Sequence, residues 1–579
     1  MSRKFYFSKF YLIFFLAAFG FLILFYAPYW LYAFPAMDEI SYVLLGGRFS
    51  PRAWFLQGGA GFYDIYPEWA AHNHALMRPI TQVMSWIFTQ INPDPFSSFS
   101  HYVLQLLLGT YLWQALTATL VAAIAIRIYG QSRVYAALLG GLTLICGPFL
   151  AWGVPQLPMN GFDILAALFV AATLYSLALG HARIAWIFAI LACFSKENAV
   201  PAIGMLALSC LIIRRWRSVA PGFFAAPLIW LLMRYLSYES LFERLPNRWE
   251  DFTITKRLYI NLPFNYMRSL YPQPEDIYHL HWLGLTVNMA IFGLIGWKLS
   301  RLWNTRRKRD NFPDRLASSL ASSLASNGKA LQLASGLICL GYLPYITILS
   351  STIEFMPRHY ACFYLCFLIW FASFRTDRIT LAVAIWMGII SIPSALWSAY
   401  NTKDYDRIRF YYERSRSLTK LLQQTGQQYP DSMIYLAHDV AMVATPGSHI
   451  ATFAKLPTLE KINAVNLNHS PEKIQNAQAN RFRKTEALWR LESHLPAQTQ
   501  FYLEAIDSEK FLSSRTEDGW FERGKVRYRL PQLTWHAGPN GRRSVTSFGQ
   551  KVIIDIRKPP VNAVLIAYDF SRQDWVSYR

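Results

Sequence analysis

Phe10-Tyr-Leu-Ile-Phe-Phe-Leu-Ala-Ala-Phe-Gly-Phe-Leu-Ile-Leu-Phe-Tyr-Ala-Pro-Tyr-Trp-Leu31, followed closely by Phe34-Pro-Ala-Met-Asp38-Glu39-Ile-Ser41, sets the reading of the whole chain. The first run carries no charge and is long enough to cross ~30 Å of hydrocarbon as a helix. Arg3, Lys4 and Lys9 precede it, and two adjacent carboxylates follow it. Basic residues stay on the cytoplasmic side of a bilayer, so the N-terminus is expected inside and Asp38 and Glu39 outside. No small-x-small cleavage site precedes the acidic pair and further apolar runs follow, so the run reads as a retained helix rather than a signal peptide. The acidic pair keeps two readings open: the solvated end of a helix, or functional carboxylates at the outer membrane surface.

Working outward, further apolar runs lie near Tyr102–Ile126, Val134–Trp152, Ile164–Leu179, Ile184–Phe194, Ala199–Ile213, Val219–Tyr235, Trp282–Trp297, Leu331–Thr352, Tyr360–Phe374 and Ile379–Tyr400. Counted with the first they predict an all-α polytopic membrane domain of about 11 transmembrane helices over residues 1–400, two of them short. A long first outer loop occupies residues 33–100. The composition agrees: of 579 residues, 53% are hydrophobic, 16% aromatic and only 16% charged, unlike a typical soluble enzyme.

Loop charge follows the same topology. Arg127, Arg133, Arg183, Arg214, Arg215, Arg217, a Lys298–Lys329 cluster, Arg375 and Arg378 all fall inside, against Asp310, Asp314 and Asp377. The formal charge of +21 thus reflects orientation and contact with anionic headgroups, and calls for no nucleic acid partner. The Ala317–Ser326 repeat reads as a flexible cytoplasmic loop.

After Tyr400 the apolar runs stop. Residues 401–579 are expected to form a smaller extracytoplasmic α/β domain, with a helix over Asp404–Gln424 and strands near Lys525–Leu530 and Val552–Ile556. All 6 cysteines lie in apolar runs and none in this domain, which fits a bacterial periplasm better than a eukaryotic lumen.

Several polar groups share the predicted outer face. The 33–100 loop holds Trp54, Phe62, Tyr63, Tyr66 and Trp69, suited to headgroup anchoring or to stacking on a sugar. His72-Asn-His74-Ala-Leu-Met-Arg78-Pro79 follows; two histidines two residues apart are weak metal evidence without a third ligand, and His74 reads as substrate contact or polar surface. In Ser195-Lys196-Glu197-Asn198, Lys196 can neutralise a lipid phosphate, or snorkel and pair with Glu197. Arg358 of Glu354-Phe-Met-Pro-Arg358-His-Tyr360 can grip a phosphate bidentately, or pair with Glu354. Asp163 is an acid expected to face the same water. Carboxylates beside Lys196, Arg78 and Arg358 suit transfer from a membrane-embedded phosphate donor, with a carboxylate accepting the proton of an acceptor hydroxyl.

These motifs resemble the GT-C membrane glycosyltransferases that use polyprenyl-phosphate sugars, most nearly bacterial relatives of the transmembrane-and-TPR O-mannosyltransferases. Asp38-Glu39-Ile40 is similar to that branch's acidic pair after the first helix. Arg78-Pro79-Ile80-Thr81, Ile91-Asn92-Pro93 and His101-Tyr-Val-Leu-Gln-Leu-Leu-Leu108 resemble its Arg-Pro-Leu-Thr, Asn-Pro and His-Leu-Val-Asn-Leu-Leu run. Gly161-Phe-Asp163-Ile-Leu-Ala-Ala-Leu resembles Arg-Ala-Asp-Leu-Leu-Ala-Ala, although Phe162 replaces a small residue and the Arg is missing. Phe194-Ser195-Lys196-Glu197 is similar to Leu-Ser-Lys-Glu, and Glu354–Tyr360 resembles Glu-Arg-x-Leu-Tyr loosely, with two extra residues before the Arg. No repeat of about 34 residues follows, so the resemblance does not extend to the C-terminus or carry over an acceptor.

The resemblance implies an inverting glycosyltransferase of the cell inner membrane, with its C-terminal domain periplasmic. Asp38, beside Glu39, would be the catalytic base. Lys196, Arg358 and Arg78 would contact donor phosphate, and His74, Asp163, Glu197 and Glu354 would line the substrate site. The partners would be a polyprenyl-phosphate-linked sugar and a glycan, lipid or protein acceptor; a divalent metal is compatible, with no evident metal cage. A non-catalytic transporter or flippase for a lipid-linked sugar, or a partner subunit, is the rival reading.

Overall fold

The computed structural model describes residues 9–31, 33, 79–92, 97–145, 161–238, 286, 289–291, 293–298, 300, 327–352, 360–374, 376–400, 402–429, 433–438, 462–466, 520–523, 526–529, 535–537, 543–545, 563–569 and 574–578. Asp38, Glu39, His74, Arg78, Glu354, Arg358, the Ala317–Ser326 repeat and the Val552–Ile556 stretch lie outside them. The chain divides into two compact units, Met1–Leu31 with Ala75–Met84 and Val103–Tyr405, and Tyr32–His74 with Ser85–Tyr102 and Asp406–Arg579.

The described residues are mostly helical. The apolar runs become α1 (Lys9–Phe25), a short α2 (Ala27–Trp30), α3 (Pro79–Ile91), α4 (His101–Leu106), a π-helical turn (Leu107–Tyr111) and α5 (Leu112–Arg127). Then come α6 (Arg133–Ile145), α7 (Gly161–Ala178), α8 (Ala182–Ser195), α9 (Ala199–Ile212), a 3-10 turn (Arg214–Val219) and α10 (Ala220–Tyr238). After a helical stretch at Met289–Lys298 follow α11 (Asn327–Thr352), α12 (Ala361–Ala372) and α13 (Arg378–Tyr400). Pro79 opens α3, where its missing N–H costs nothing.

Among the described residues three helices are long and apolar enough to cross a membrane: Tyr102–Arg127, Gly161–Ala178 and Arg214–Met233. The other apolar helices so identified are shorter, among them Lys9–Phe25, Ala182–Ser195, Ala199–Ile212 and Ala361–Ala372. Large apolar side chains stand exposed along them, including Ile13, Leu16 and Leu24 on α1, Ile187 on α8, Leu211 on α9, Leu232 on α10 and Ile389 on α13. A face of that kind is unfavourable in water and matches a hydrocarbon solvent. Buried hydroxyls obey the same constraint by turning back on their own helix: Thr119, Thr173, Ser209, Ser335 and Ser391 donate to the carbonyl four residues earlier.

The centre of the first unit is α7 and α12, buried along nearly their whole length. Helix α7 packs on α8, α5 and α12. Fully buried alanines on both sides, Ala166, Ala167 and Ala171 on α7 and Ala185, Ala189 and Ala192 on α8, let backbones approach closely. That matters because lipid tails are as apolar as leucine, so such helices associate through close packing rather than hydrophobic expulsion. Two glycines set the tightest approaches. A Cβ on Gly140 of α6 would stand 2.7 Å from the Ala118 carbonyl oxygen and 2.8 Å from the Phe14 ring. One on Gly161 would stand 2.5 Å from both the Gly109 carbonyl oxygen and Thr110 Oγ1 in the π-turn.

One end of this unit is tied by side-chain caps. Gln131, between α5 and α6, donates to the Ala372 and Phe374 carbonyls at 2.8 and 2.7 Å and accepts from the Thr376 hydroxyl. Asp377 caps α13, accepting from the Thr380 N–H at 2.8 Å and its hydroxyl at 2.7 Å. Lys298 pairs with Asp377 at 3.3 Å and lies 5.1 Å from the Phe374 ring centre. Burial raises the Asp377 carboxyl, but the Thr380 donors and Lys298 outweigh it and hold it below its ordinary value.

In the second unit, α14 (Thr402–Gln428) leads to strands β1 (Met433–His438), β2 (Ile462–Asn466), β3 (Trp520–Arg523), β4 (Val526–Arg529), β5 (Trp535–Ala537), β6 (Arg543–Val545), β7 (Ala563–Asp569) and β8 (Asp574–Tyr578). The main sheet runs β2-β1-β7-β8. Its β1 is parallel to β2 and β7 (Tyr435 opposite Asn463 and Leu565), and β8 is antiparallel to β7. The pairs β3–β4 and β5–β6 are antiparallel. Tyr412 of α14 and Tyr102, both in this unit, meet edge to face at 6.0 Å, their hydroxyls 3.4 Å apart.

Candidate functional site

The opposite end of the first unit carries a buried polar cluster. The Ser195 hydroxyl donates back to the Leu191 carbonyl at 2.7 Å, and Lys196 adopts an extended backbone, φ −157° and ψ 140°, which ends α8. The Ala199 N–H then bonds to the Lys196 carbonyl at 3.1 Å, and α9 begins. This tight turn carries the Lys196 side chain inward rather than along the helix surface.

Asp163, in the first turn of α7, meets it there. Lys196 Nζ lies 3.2 Å from Asp163 Oδ2, and Asn198 Nδ2 donates to Asp163 Oδ1 at 2.7 Å. The Tyr342 hydroxyl on α11 donates to the Asn198 carbonyl. Asp163 is 1% exposed, Lys196 4% and Asn198 2%. Both carboxylate oxygens are therefore engaged, one by a cation and one by a neutral amide. An ion pair taken out of water survives only with such geometry and added hydrogen bonds.

Two expectations change here. Asp163 does not face water: it is buried at the start of α7, a helix on which α5, α8 and α12 pack. Lys196 pairs with Asp163, which the sequence places 33 residues away, where the local reading offered Glu197. Glu197 is half-buried in the same turn. Of the residues expected to form the site, the structure thus brings together Asp163 and Lys196 with Glu197 beside them. Asn198 and Tyr342 complete the cluster and were not anticipated. Asn198 ends the Ser-Lys-Glu-Asn stretch, whose last member reads in isolation as a neutral turn residue. Tyr342 signals itself only as a hydroxyl inside an apolar run.

Helix α1 terminates at this end. Tyr26, just past it, stacks on Tyr111 of the π-turn with ring centres 5.7 Å apart, and the π-turn abuts Gly161, two residues before Asp163. Tyr26, Tyr29 and Tyr111 are fully buried. π-turns inside α-helices recur at functional sites, and this one lets the α5 helix meet the start of α7.

Chemically, the cluster positions a primary ammonium. Its Lys196 is a compact ammonium donor held by Asp163, a group of the kind suited to an anionic oxygen. Asp163, with both oxygens taken, is poorly placed to accept a substrate proton. Among the described residues no group of three or more His, Cys, Asp or Glu side chains could hold a metal ion. No protein-family model and no curated protein matches the chain.

Proposed function

We propose that the protein is a multi-span membrane glycosyltransferase of GT-C type. It moves one sugar from a polyprenyl-phosphate donor to a glycan, lipid or protein acceptor of the cell envelope. The observation that carries this reading is the Asp163–Lys196–Asn198 cluster, which joins two of the sequence's family-like motifs at the end of the unit where α1 terminates. On this reading about eleven spans cross the inner membrane, with the N-terminus cytoplasmic. The second unit, with its parallel strand pairs after a long helix, is a periplasmic α/β domain.

In the reaction, Asp38 accepts the proton of an acceptor hydroxyl as that oxygen bonds to the anomeric carbon. The bond from that carbon to the donor phosphate oxygen breaks, and the lipid phosphate leaves with both electrons. The configuration inverts. Lys196, oriented by Asp163, and Arg358 and Arg78 meet the departing negative charge. Glu39, His74, Glu197 and Glu354 contribute to the substrate site.

The test is mass spectrometry of envelope lipids, polysaccharides and proteins from a deletion strain complemented with wild type or Asp38→Asn. One sugar missing from one acceptor, restored by wild type alone, supports the transferase and names both partners. Full restoration by Asp38→Asn replaces it with a lipid-carrier or partner-subunit reading.

A further inference from the structure

The capped end of the first unit carries a second, unrelated surface. Arg127, at the end of α5, sits with its guanidinium carbon 5.3 Å from the Tyr11 ring centre and donates from Nη1 to the Tyr175 hydroxyl at 3.3 Å. Arg133, at the start of α6, lies 5.9 Å from the Phe10 ring centre, and Lys9 precedes Phe10. All three cations are exposed. The intervening loop is fixed, because Gln131 is tied to two carbonyls at the end of α12 and Gly130 takes φ 67°. The described parts of α1, α5, α6 and the turn from α7 to α8 hold no carboxylate near this rim, and Arg183 lies in the first turn of α8. The one carboxylate described at this end, Asp377, is engaged by Lys298.

Further along α1 and α6 from Lys9 and Arg133 the surface carries exposed aliphatic side chains. Leu12, Ile13 and Leu16 on α1 and Val134, adjacent to Arg133, are exposed by 51%, 65%, 56% and 78%. Phe14 packs against Gly140 of α6, so α1 and α6 are neighbours along this seam. Cations above and an exposed aliphatic strip below match an amphiphile with an anionic head and hydrocarbon tail. A free phosphate would use only the upper half.

We propose that Lys9, Arg127 and Arg133 form a docking site for the phosphate headgroup of an anionic glycerophospholipid, its acyl chain lying along α1 and α6. The aromatic rings steady the two guanidinium groups, and Arg133 can offer a paired N–H fork to phosphate oxygens.

The experiment uses the full chain in nondenaturing detergent, titrated with phosphatidylglycerol or phosphatidylcholine and read by native mass spectrometry. Wild type is expected to retain phosphatidylglycerol in preference. Two neutralised arginines should cut that preference roughly thirtyfold in an Arg127→Gln/Arg133→Gln variant. Arg127→Lys/Arg133→Lys should keep most of it. Arg133→Gln alone, whose side chain caps no helix end, should lose part of it and serves where the double variant does not fold. Equal retention of the two lipids by wild type, unchanged preference in the glutamine variants, or displacement of the lipid by inorganic phosphate at equal concentration would overturn the proposal. None of these readouts depends on sugar transfer.

Discussion

The two ends of the helical unit handle positive charge in opposite ways. At one, Lys9, Arg127 and Arg133 are exposed, the two arginines steadied by aromatic rings and a phenol. At the other, Lys196 is enclosed and answered by Asp163 and Asn198. An exposed cation keeps its hydration and can be exchanged for any soluble residue at little cost. A buried one requires its counter-charge. The first end can therefore tolerate change and tune affinity, whereas the second couples stability to chemistry.

The sharpest way to break this contrast is to remove one half of the buried pair. Lys196→Met or Asp163→Asn alone should destabilise by about 3–5 kcal/mol, because the remaining charge is stranded. The double variant should recover much of that loss. Thermal unfolding in detergent checks it, and additive losses in the double-mutant cycle would mean the two groups are not coupled. At the other end Arg133→Gln should leave the melting temperature within the scatter of surface substitutions.

Gly161→Ala should come next. Its new methyl would be driven into the π-turn, an overpacking cost of about 1–3 kcal/mol. Gly141→Ala, with no atom within 4 Å of the new Cβ, is the neutral control; equal melting of the two would remove the close approach from the account.

Tyr342→Phe deletes one hydrogen bond to the Asn198 carbonyl, about 1 kcal/mol, and should loosen the Lys196 turn. Faster amide exchange at residues 196–199 is the expected sign, and unchanged exchange counts against a positioning role.

The smallest effect belongs to the capped end. Asp377→Ala should cost about 1 kcal/mol at neutral pH through loss of the α13 cap. The folded protein holds this carboxyl below its ordinary value. Its contribution is therefore complete above the unfolded carboxylate range and fades as pH falls through the folded one. The melting difference between wild type and Asp377→Ala should shrink with acidification; a gap that widened would reverse the assigned sign.

Helix positions were largely legible because an uninterrupted apolar run leaves the backbone few options in lipid. The run at Leu331–Thr352 became Asn327–Thr352 and that at Ile379–Tyr400 became Arg378–Tyr400. Lys525–Leu530 likewise contains the strand Val526–Arg529. In the run Val134–Trp152 the part up to Ile145 is helix, and 146–152 lie outside the described residues. The π-turn at Leu107–Tyr111 has no signature in a sequence that reads as one smooth helix. The Asp163–Lys196 bond joins separate helices, and hydropathy says nothing about which polar groups will face one another. It also misplaced Asp163 in water, since an acid at a helix start looks solvated until its neighbours are known. The parallel pairing of β1 with β7 was hidden in the same way, by distance along the chain.

Helices α8 and α9 have one further consequence. Each contains 14 residues, about 21 Å at the α-helical rise, against ~30 Å of hydrocarbon. In the proposed topology Arg183 and Arg214 sit in one headgroup layer, and the Ser195–Asn198 turn would stop about 9 Å short of the other. In that topology the bilayer would thin over this pair of helices, or the turn would form the floor of a depression in it. Under the proposed function, the lipid phosphate that meets Lys196 would do so below the level of the surrounding lipid heads, sheltered from bulk water while its hydrocarbon tail remains in the membrane.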